Sequence, residues 1–202
     1  MDLLKRINAL KADIIKAFDG TIYPGDDKLL HPSGQDDSDI VCFYGRTNWQ
    51  NVHNRVIEHE NAALSGFSPE AFHFFLPRFL IYALENYNSE EPVLDNLIYA
   101  LSPEYYGDAS HTKSFLRDHG EELEPQLKKD MEDIVLHLES TNEEEKLKAL
   151  DFRISKYRKL TFEQKQVIVS FLELIMDEFT DYFNEKVVNA ALDYWHKETR
   201  SL

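Results

Sequence analysis

Residues 161–179, TFEQKQVIVSFLELIMDEF, give the clearest indication of the fold class of this chain. Thr161 and Gln164 have the spacing of a capping box, in which each side chain can satisfy a backbone N–H group of the other residue. Apolar side chains then recur every three or four residues between Ile168 and Ile175, which is the period of an amphipathic helix. The stretch therefore predicts an α-helix that begins at the capping box.

The helical pattern continues through the C-terminal part of the chain. No glycine or proline follows Pro125, and this sequence is rich in Glu, Lys and Leu, a composition typical of helices. If the helix that begins near residue 161 runs unbroken to residue 194, it spans about 34 residues, or roughly 50 Å. A helix of that length exceeds a compact domain of this size. It therefore either breaks near residues 180–184 or packs its end on a second chain.

The first half of the chain combines shorter helices with one long loop. Apolar residues at helical spacing predict a helix over residues 2–18, which ends at Asp19 and Gly20. The segment 19–46 holds four of the seven glycines and two prolines, so it predicts an irregular loop, with a short strand at 40–44. These patterns together predict an all-α fold. We expect an irregular bundle of roughly 7–9 helices with this long loop and a long C-terminal helix.

The charge of the chain argues against one class of function, nucleic-acid binding. The chain carries 22 Lys and Arg against 37 Asp and Glu, a formal net charge of −15. This balance argues against nucleic-acid binding, because a phosphate backbone requires a basic footprint. Residues 21–140 hold most of the negative charge, whereas seven basic side chains cluster in residues 146–165, where nucleic-acid binding is excluded least strongly.

The cysteine content and the N-terminal sequence bear on the cellular compartment. The single cysteine excludes an intramolecular disulfide and a Cys-based zinc site, and it suggests a reducing environment. No run of about 18 apolar residues predicts a membrane span. The first 18 residues are amphipathic and lack the continuous apolar core of a signal peptide. We therefore expect a cytoplasmic protein that does not insert into membranes.

An aromatic block in the middle of the chain follows a strong helix start. Ser68 is placed as an N-cap, with Pro69 in the first helical position, where its missing N–H group costs nothing. Phe72, Phe74 and Phe75 follow, and helical spacing cannot place all three side chains on one face. The pattern favours a central helix that is buried nearly all round, and the alternative is that one aromatic ring lines a groove.

The same block resembles a family of bacterial proteins that is catalogued only as a domain of unknown function. The resemblance rests on Trp49, on residues 67–80, FSPEAFHFFLPRFL, and on residues 160–164, LTFEQ. Its good match covers about residues 45–103 and 160–175. The resemblance implies a small soluble cytoplasmic helical protein, and it implies no activity, cofactor or catalytic residue.

We expect residues 1–202 to form a single α-helical domain, and the resemblance suggests how this domain is organised. The segments 45–107 and 160–180 form its family-like core. Residues 108–158 form a charged helical insertion relative to the family pattern, and residues 181–202 form a helical extension.

Glu70 and His73 are the residues whose spacing could bind a metal. A Glu-x-x-His pair places both side chains on one side of a helix, as in di-iron bundles, but such a site needs a second pair and two further carboxylates. The chain contains no second Glu-x-x-His sequence. We therefore predict no metal site and no catalytic residue, and the alternative interpretation is metal-assisted hydrolysis by Glu70, His73 and nearby carboxylates.

Three further residues of the same block are candidates for binding. Trp49 precedes the aromatic helix, and Tyr82 lies within it. Arg78 follows Pro77 and is the only basic residue in residues 61–100, so it either pairs with a neighbouring glutamate or contacts an anion or a partner. The predicted binding residues are therefore Trp49, Glu70, His73, Arg78 and Tyr82.

Two functions of different class follow from these observations. The acidic charge and the lack of a catalytic constellation favour a non-enzymatic interaction protein, similar in kind to inhibitors and immunity proteins, that binds a basic protein partner. Apolar residues near the C-terminus, such as Val188 and Trp195, also permit self-association through the last helix. The other hypothesis is the metal-assisted hydrolase. The sequence predicts no cofactor, no nucleic-acid partner and no membrane partner.

Overall fold

The computed structural model of the chain describes residues 2–30, 38–87, 92–103, 109–121, 123–141, 143–179 and 185–200. Its α-helices are α1 (Leu3–Ala17), α2 (Asn54–His59), α3 (Ala63–Gly66), α4 (Pro69–Glu85), α5 (Val93–Leu101), α6 (Ser110–His119), α7 (Pro125–Ser140), α8 (Glu143–Arg158), α9 (Phe162–Glu178) and α10 (Glu185–Arg200). Short 3₁₀ helices lie at Asp26–Lys28, Ser38–Phe43 and Trp49–Asn51. No β-strand is present in the described ranges, so the predicted all-α fold is confirmed.

The chain divides into two compact units. The first, which we call the main unit, comprises Met1–Pro103 and Arg153–Leu202. The second, which we call the acidic unit, comprises Glu104–Phe152. The division into a family-like core, an insertion over 108–158 and an extension from residue 181 stays a prediction.

Helix α4 is the centre of the main unit. The Ser68 hydroxyl oxygen accepts a hydrogen bond from the Ala71 N–H at 3.1 Å and donates one to the Lys28 carbonyl at 2.6 Å, so the predicted N-cap is confirmed. Every residue from Ala71 to Leu84 except His73 is buried, and the helix continues through Pro77 without being split. The interpretation of a helix buried nearly all round is therefore correct.

The core of the main unit is built from aromatic rings. The Phe75 ring lies 4.9 Å from the Phe43 ring centroid and 5.1 Å from that of Phe67, and both contacts join α4 to segments outside it. Phe74 packs edge-on against Phe75 at 4.9 Å. These arrangements are the offset and edge-to-face geometries that aromatic quadrupoles favour.

The C-terminal part forms two helices rather than one. Helix α9 starts at the Thr161–Gln164 capping box, which is confirmed, and α10 packs on both α9 and α5. Val187, Val188, Ala191 and Trp195 of α10 are buried, and the Trp195 indole N–H donates to the Leu101 carbonyl at 2.8 Å. The break lies between Glu178 and Glu185, which is the alternative near residues 180–184, although 180–184 themselves lie outside the described residues.

The predicted strand at 40–44 is wrong. The structure has the 3₁₀ helix Ser38–Phe43 there, with Ile40 and Phe43 buried and Val41 and Tyr44 exposed. Burial at a spacing of three residues matches the three residues per turn of a 3₁₀ helix. The preceding residues of the predicted loop, 31–37, lie outside the described part of the chain.

Candidate functional site

The Glu70–His73 pair at the start of α4 is engaged by the main unit itself. The Lys159 ammonium lies 2.7 Å from a Glu70 carboxylate oxygen, and this hydrogen bond holds the pKa of Glu70 below its ordinary value. The His73 Nε2–H group donates to the Gln164 side-chain oxygen at 2.9 Å. No group of three or more metal-competent side chains is found in the residues that the structure describes.

Gln164 explains why His73 is held in this way. Its side-chain oxygen also accepts the Thr161 N–H at 2.9 Å, and its side-chain nitrogen donates to the Ala17 carbonyl at 3.1 Å. One buried amide thus joins the start of α9 to α1 and α4. Burial lowers the pKa of His73, and the positive charge of Lys159 lowers it further, while the hydrogen bond to Gln164 opposes the shift.

We predict that His73 titrates below the ordinary histidine pKa and that Gln164→Glu raises its pKa, since a carboxylate stabilises the imidazolium ion. NMR titration of the His73 ring, assigned with His73→Gln, measures both values. Because the unfolded chain binds this proton more readily, acidification below about pH 6.5 should also favour unfolding. A His73 that titrates at or above its ordinary pKa in the unmodified protein would contradict the described burial.

Trp49 and Arg78 both line a cleft of about 310 Å³ in the main unit, separate from the Glu70–His73 pair. Its walls are Lys11, Ile15, Trp49, Gln50, Arg78, Ile81 and Glu85. Of the five predicted binding residues, the cleft brings together Trp49 and Arg78 only. Glu70 and His73 belong to the first turns of α4 and do not line it.

Arg78 is nine-tenths buried, with 8 % of its surface exposed. Its Nε–H group donates to the Val52 carbonyl at 2.9 Å, and Nη2 donates to the Asn54 side-chain oxygen. Burial lowers the pKa of Arg78, and the negative charge of Glu85 opposes that shift. The two side chains do not form an ion pair. Tyr82, one helical turn further along α4, is buried and donates its hydroxyl to Glu58 at 3.0 Å.

Two charged residues of the cleft are not among the predicted binding residues. Lys11 of α1 and Glu85 of α4 form an ion pair at its rim. Glu85 could have been found, because it lies seven residues after Arg78 and so shares its side of the helix. Lys11 could not, because only the tertiary packing of α1 on α4 places it there.

The acidic unit combines a high negative charge with exposed apolar side chains. Residues 104–152 contain 14 acidic and 6 basic side chains, so a quarter of the chain carries −8 of the total −15. Helix α6 packs against α7, and Val135 is the buried side chain of α7. Leu127, Ile134, Leu136 and Leu147 are each exposed over half of their surface or more.

One side of α7 combines apolar and acidic side chains in contact with solvent. Leu127 and Ile134 are seven residues apart and therefore lie above one another on the helix. Asp130 and Asp133 are exposed beside them, and Asp130 accepts a hydrogen bond from the Gln126 side chain at 2.7 Å. We call Leu127, Asp130, Asp133 and Ile134 the α7 face.

Comparison with known proteins supplies one match. The model of the family described as "Family of unknown function (DUF6714)" matches residues 32–147, which is more than half of the chain. The matched residues include most of the predicted insertion and stop before residues 160–175. No curated protein and no solved structure matches the chain. None of the described helices is long and apolar enough to cross a membrane.

Proposed function

This chain belongs to the family of unknown function DUF6714, and we propose that it is a non-enzymatic protein–protein interaction module. Its partner is a basic protein, and the interaction is of the kind made by inhibitors and immunity proteins. The α7 face is the contact surface. The observation that carries the proposal is that half-exposed apolar side chains and exposed carboxylates occur together on this face of the acidic unit.

The apolar half of the α7 face supports a binding role through its exposure. Leu127 and Ile134 are each exposed over about half of their surface, whereas Val135 of the same helix is buried. The two side chains lie two helical turns apart, about 10 Å, and a partner that spans both turns would bury them favourably.

The charge of the acidic unit supports the choice of a basic partner. A net charge of −8 in 49 residues creates a negative potential that attracts Lys- and Arg-rich surfaces and accelerates their encounter. Asp130 and Asp133 can then pair with cations of the partner at the rim of the apolar contact, which sets orientation and specificity. Binding should therefore weaken as the ionic strength rises.

Two other functions have less support. Self-association through the C-terminal helix requires exposed apolar side chains, whereas Val187, Val188, Ala191 and Trp195 of α10 are buried. A metal-assisted hydrolase would need Glu70 and His73 free to bind a metal, whereas Lys159 and Gln164 engage them. Light scattering and metal analysis of the purified protein distinguish both functions from the proposal.

The experiment is affinity capture from native lysate with the unmodified chain and two paired variants. Asp130→Lys with Asp133→Lys reverses the charge of the α7 face, and Leu127→Ser with Ile134→Ser removes its apolar part. We expect each pair to lose the basic protein that the unmodified chain captures at low salt. Exposed substitutions change stability by about 0.5 kcal/mol or less, so circular dichroism should show intact helices.

The matched control changes charge by the same amount elsewhere. Asp13→Lys with Glu173→Lys alters two exposed carboxylates of the main unit, and capture should persist. If all variants capture the same proteins as the unmodified chain, or if the unmodified chain captures no basic protein at low salt, the proposal is wrong. A dimer in light scattering that Leu127→Ser with Ile134→Ser disrupts would assign the α7 face to self-association instead.

A further inference from the structure

The cleft that contains Arg78 is positively charged in an otherwise acidic chain. Lys11 and Arg78 contribute two positive charges and Glu85 one negative charge, so the cleft carries a net charge of +1. The whole chain carries −15. The cleft is therefore a candidate site for an anion, independent of the α7 face.

Arg78 has binding capacity that the chain itself leaves unused. Its Nε and Nη2 groups donate to Val52 and Asn54. Within the described ranges, no carboxylate lies within ion-pair distance of its guanidinium. The Nη1 group takes no part in these two hydrogen bonds, and it is not a fully buried atom without a partner. A buried cation is stabilised by a nearby counter-charge, and Glu85 acts on it only at longer range.

The walls of the cleft indicate what kind of anion fits. Ile15, Trp49 and Ile81 provide apolar surface beside the two cations. A volume of about 310 Å³ lies at the lower end of the range of small-molecule pockets. A planar guanidinium favours carboxylates, whose two oxygens match its fork of N–H donors.

We propose that this cleft binds a small organic carboxylate that has an apolar or aromatic body. The carboxylate contacts the Arg78 guanidinium and the Lys11 ammonium, and the body packs against Trp49 and the two isoleucines. Lys11 exchanges its ion pair with Glu85 for the ligand. The proposal does not depend on the function of the α7 face and would survive its failure.

The experiment uses benzoate as the probe and the Trp49 indole N–H as the reporter. The chain has two tryptophans, and Trp195 is buried and does not line the cleft. Benzoate should shift the NMR signal of Trp49, assigned with Trp49→Phe, in a saturable way with a Kd of about 1 mM. Benzamide, which has the same ring without the charge, and inorganic phosphate, which has charge without an apolar body, should bind at least about tenfold more weakly.

Two variants test the residues without disturbing the core. Lys11→Ala should weaken benzoate binding by about tenfold, because it removes a charge-assisted hydrogen bond. Glu85→Gln should strengthen it by about threefold to tenfold, because it removes the carboxylate that competes for Lys11 and acts on Arg78. Arg78 is left unchanged, since it also holds Val52 and Asn54.

The matched control is Lys5→Ala, which removes an exposed lysine of α1 that does not line the cleft. It should leave the affinity for benzoate unchanged. The proposal is overturned by no saturable Trp49 shift with benzoate, by equal affinity for benzamide or phosphate, or by an affinity that Lys11→Ala and Glu85→Gln leave unaltered. The higher affinity for benzoate that we expect for Glu85→Gln cannot arise from loss of folding.

Discussion

Replacing Phe75 with alanine should lower the free energy of unfolding by about 3–5 kcal/mol. Phe75 is fully buried, and its ring contacts those of Phe43, Phe67 and Phe74 at centroid distances of 4.9 to 5.1 Å. Truncation removes the transfer free energy of the ring and leaves a cavity whose lining loses its partners. Phe43 and Phe67 come from two segments outside α4, so the cavity cannot close by the movement of one helix.

Urea unfolding monitored by tryptophan fluorescence measures this loss. Trp49 and Trp195 both belong to the main unit, so the signal reports on the unit that contains Phe75. The control is Ile22→Ala, which truncates an apolar side chain that is 86 % exposed and should change stability by about 0.5 kcal/mol or less. A loss below about 1 kcal/mol for Phe75→Ala would show that the aromatic core is not packed as described.

Stability should rise by roughly 1.5 kcal/mol between about pH 7 and pH 8.5, and Lys156 is the cause. Lys156 of α8 is 3 % exposed, and its ammonium donates to the carbonyls of Leu64 at 2.9 Å and Ser65 at 2.7 Å. Burial lowers the pKa of Lys156 to about 7, and the positive charge of Arg153 contributes to the shift.

The sign follows from proton counting. An unfolded lysine titrates near pH 10.4, so between about pH 7 and that value the unfolded chain binds more protons than the folded chain. Stability therefore rises with pH over this interval. The partly buried thiol of Cys42, whose pKa desolvation raises to about 11, acts in the opposite sense once an unfolded thiol ionises near pH 8.5. The expected rise is therefore clearest below that pH.

Lys156→Met separates this effect from other titrations. The variant keeps the length of the side chain and removes the ionisable group, so the free energy of unfolding should become nearly constant between about pH 7 and 8.5. Lys128→Met, on the acidic unit, is the matched control and should retain the rise. An unmodified protein whose stability is flat over this interval would show that Lys156 remains charged in the folded state.

Local signals in the sequence predict the helix starts of this fold well. The caps at Ser68 and Thr161 are confirmed, because capping chemistry involves residues only three positions apart. The error at 40–44 arose because a short apolar run fits several structures equally well. The spacing of Ile40 and Phe43 carried the missing signal for a 3₁₀ turn.

The roles of charged residues were harder to predict than the helices. The cluster of seven basic side chains between 146 and 165 is the region where the sequence excludes nucleic-acid binding least strongly. In the structure, Lys156 is buried, Lys159 pairs with Glu70, and Lys165 pairs with Glu198. Each partner is more than 30 positions away in sequence, so no periodicity could identify it. The meeting of Trp49 with Arg78 in one cleft depends on the same kind of long-range packing.

Hydrogen exchange of α7, with and without the captured basic partner, tests the central claim most directly. If the α7 face is the contact surface, the partner should slow exchange across Pro125–Ser140 and leave Leu3–Ala17 of α1 unchanged, because helical amides exchange through local opening that a bound partner suppresses. Exchange that slows only in the main unit, with α7 unaltered, would contradict the proposed function.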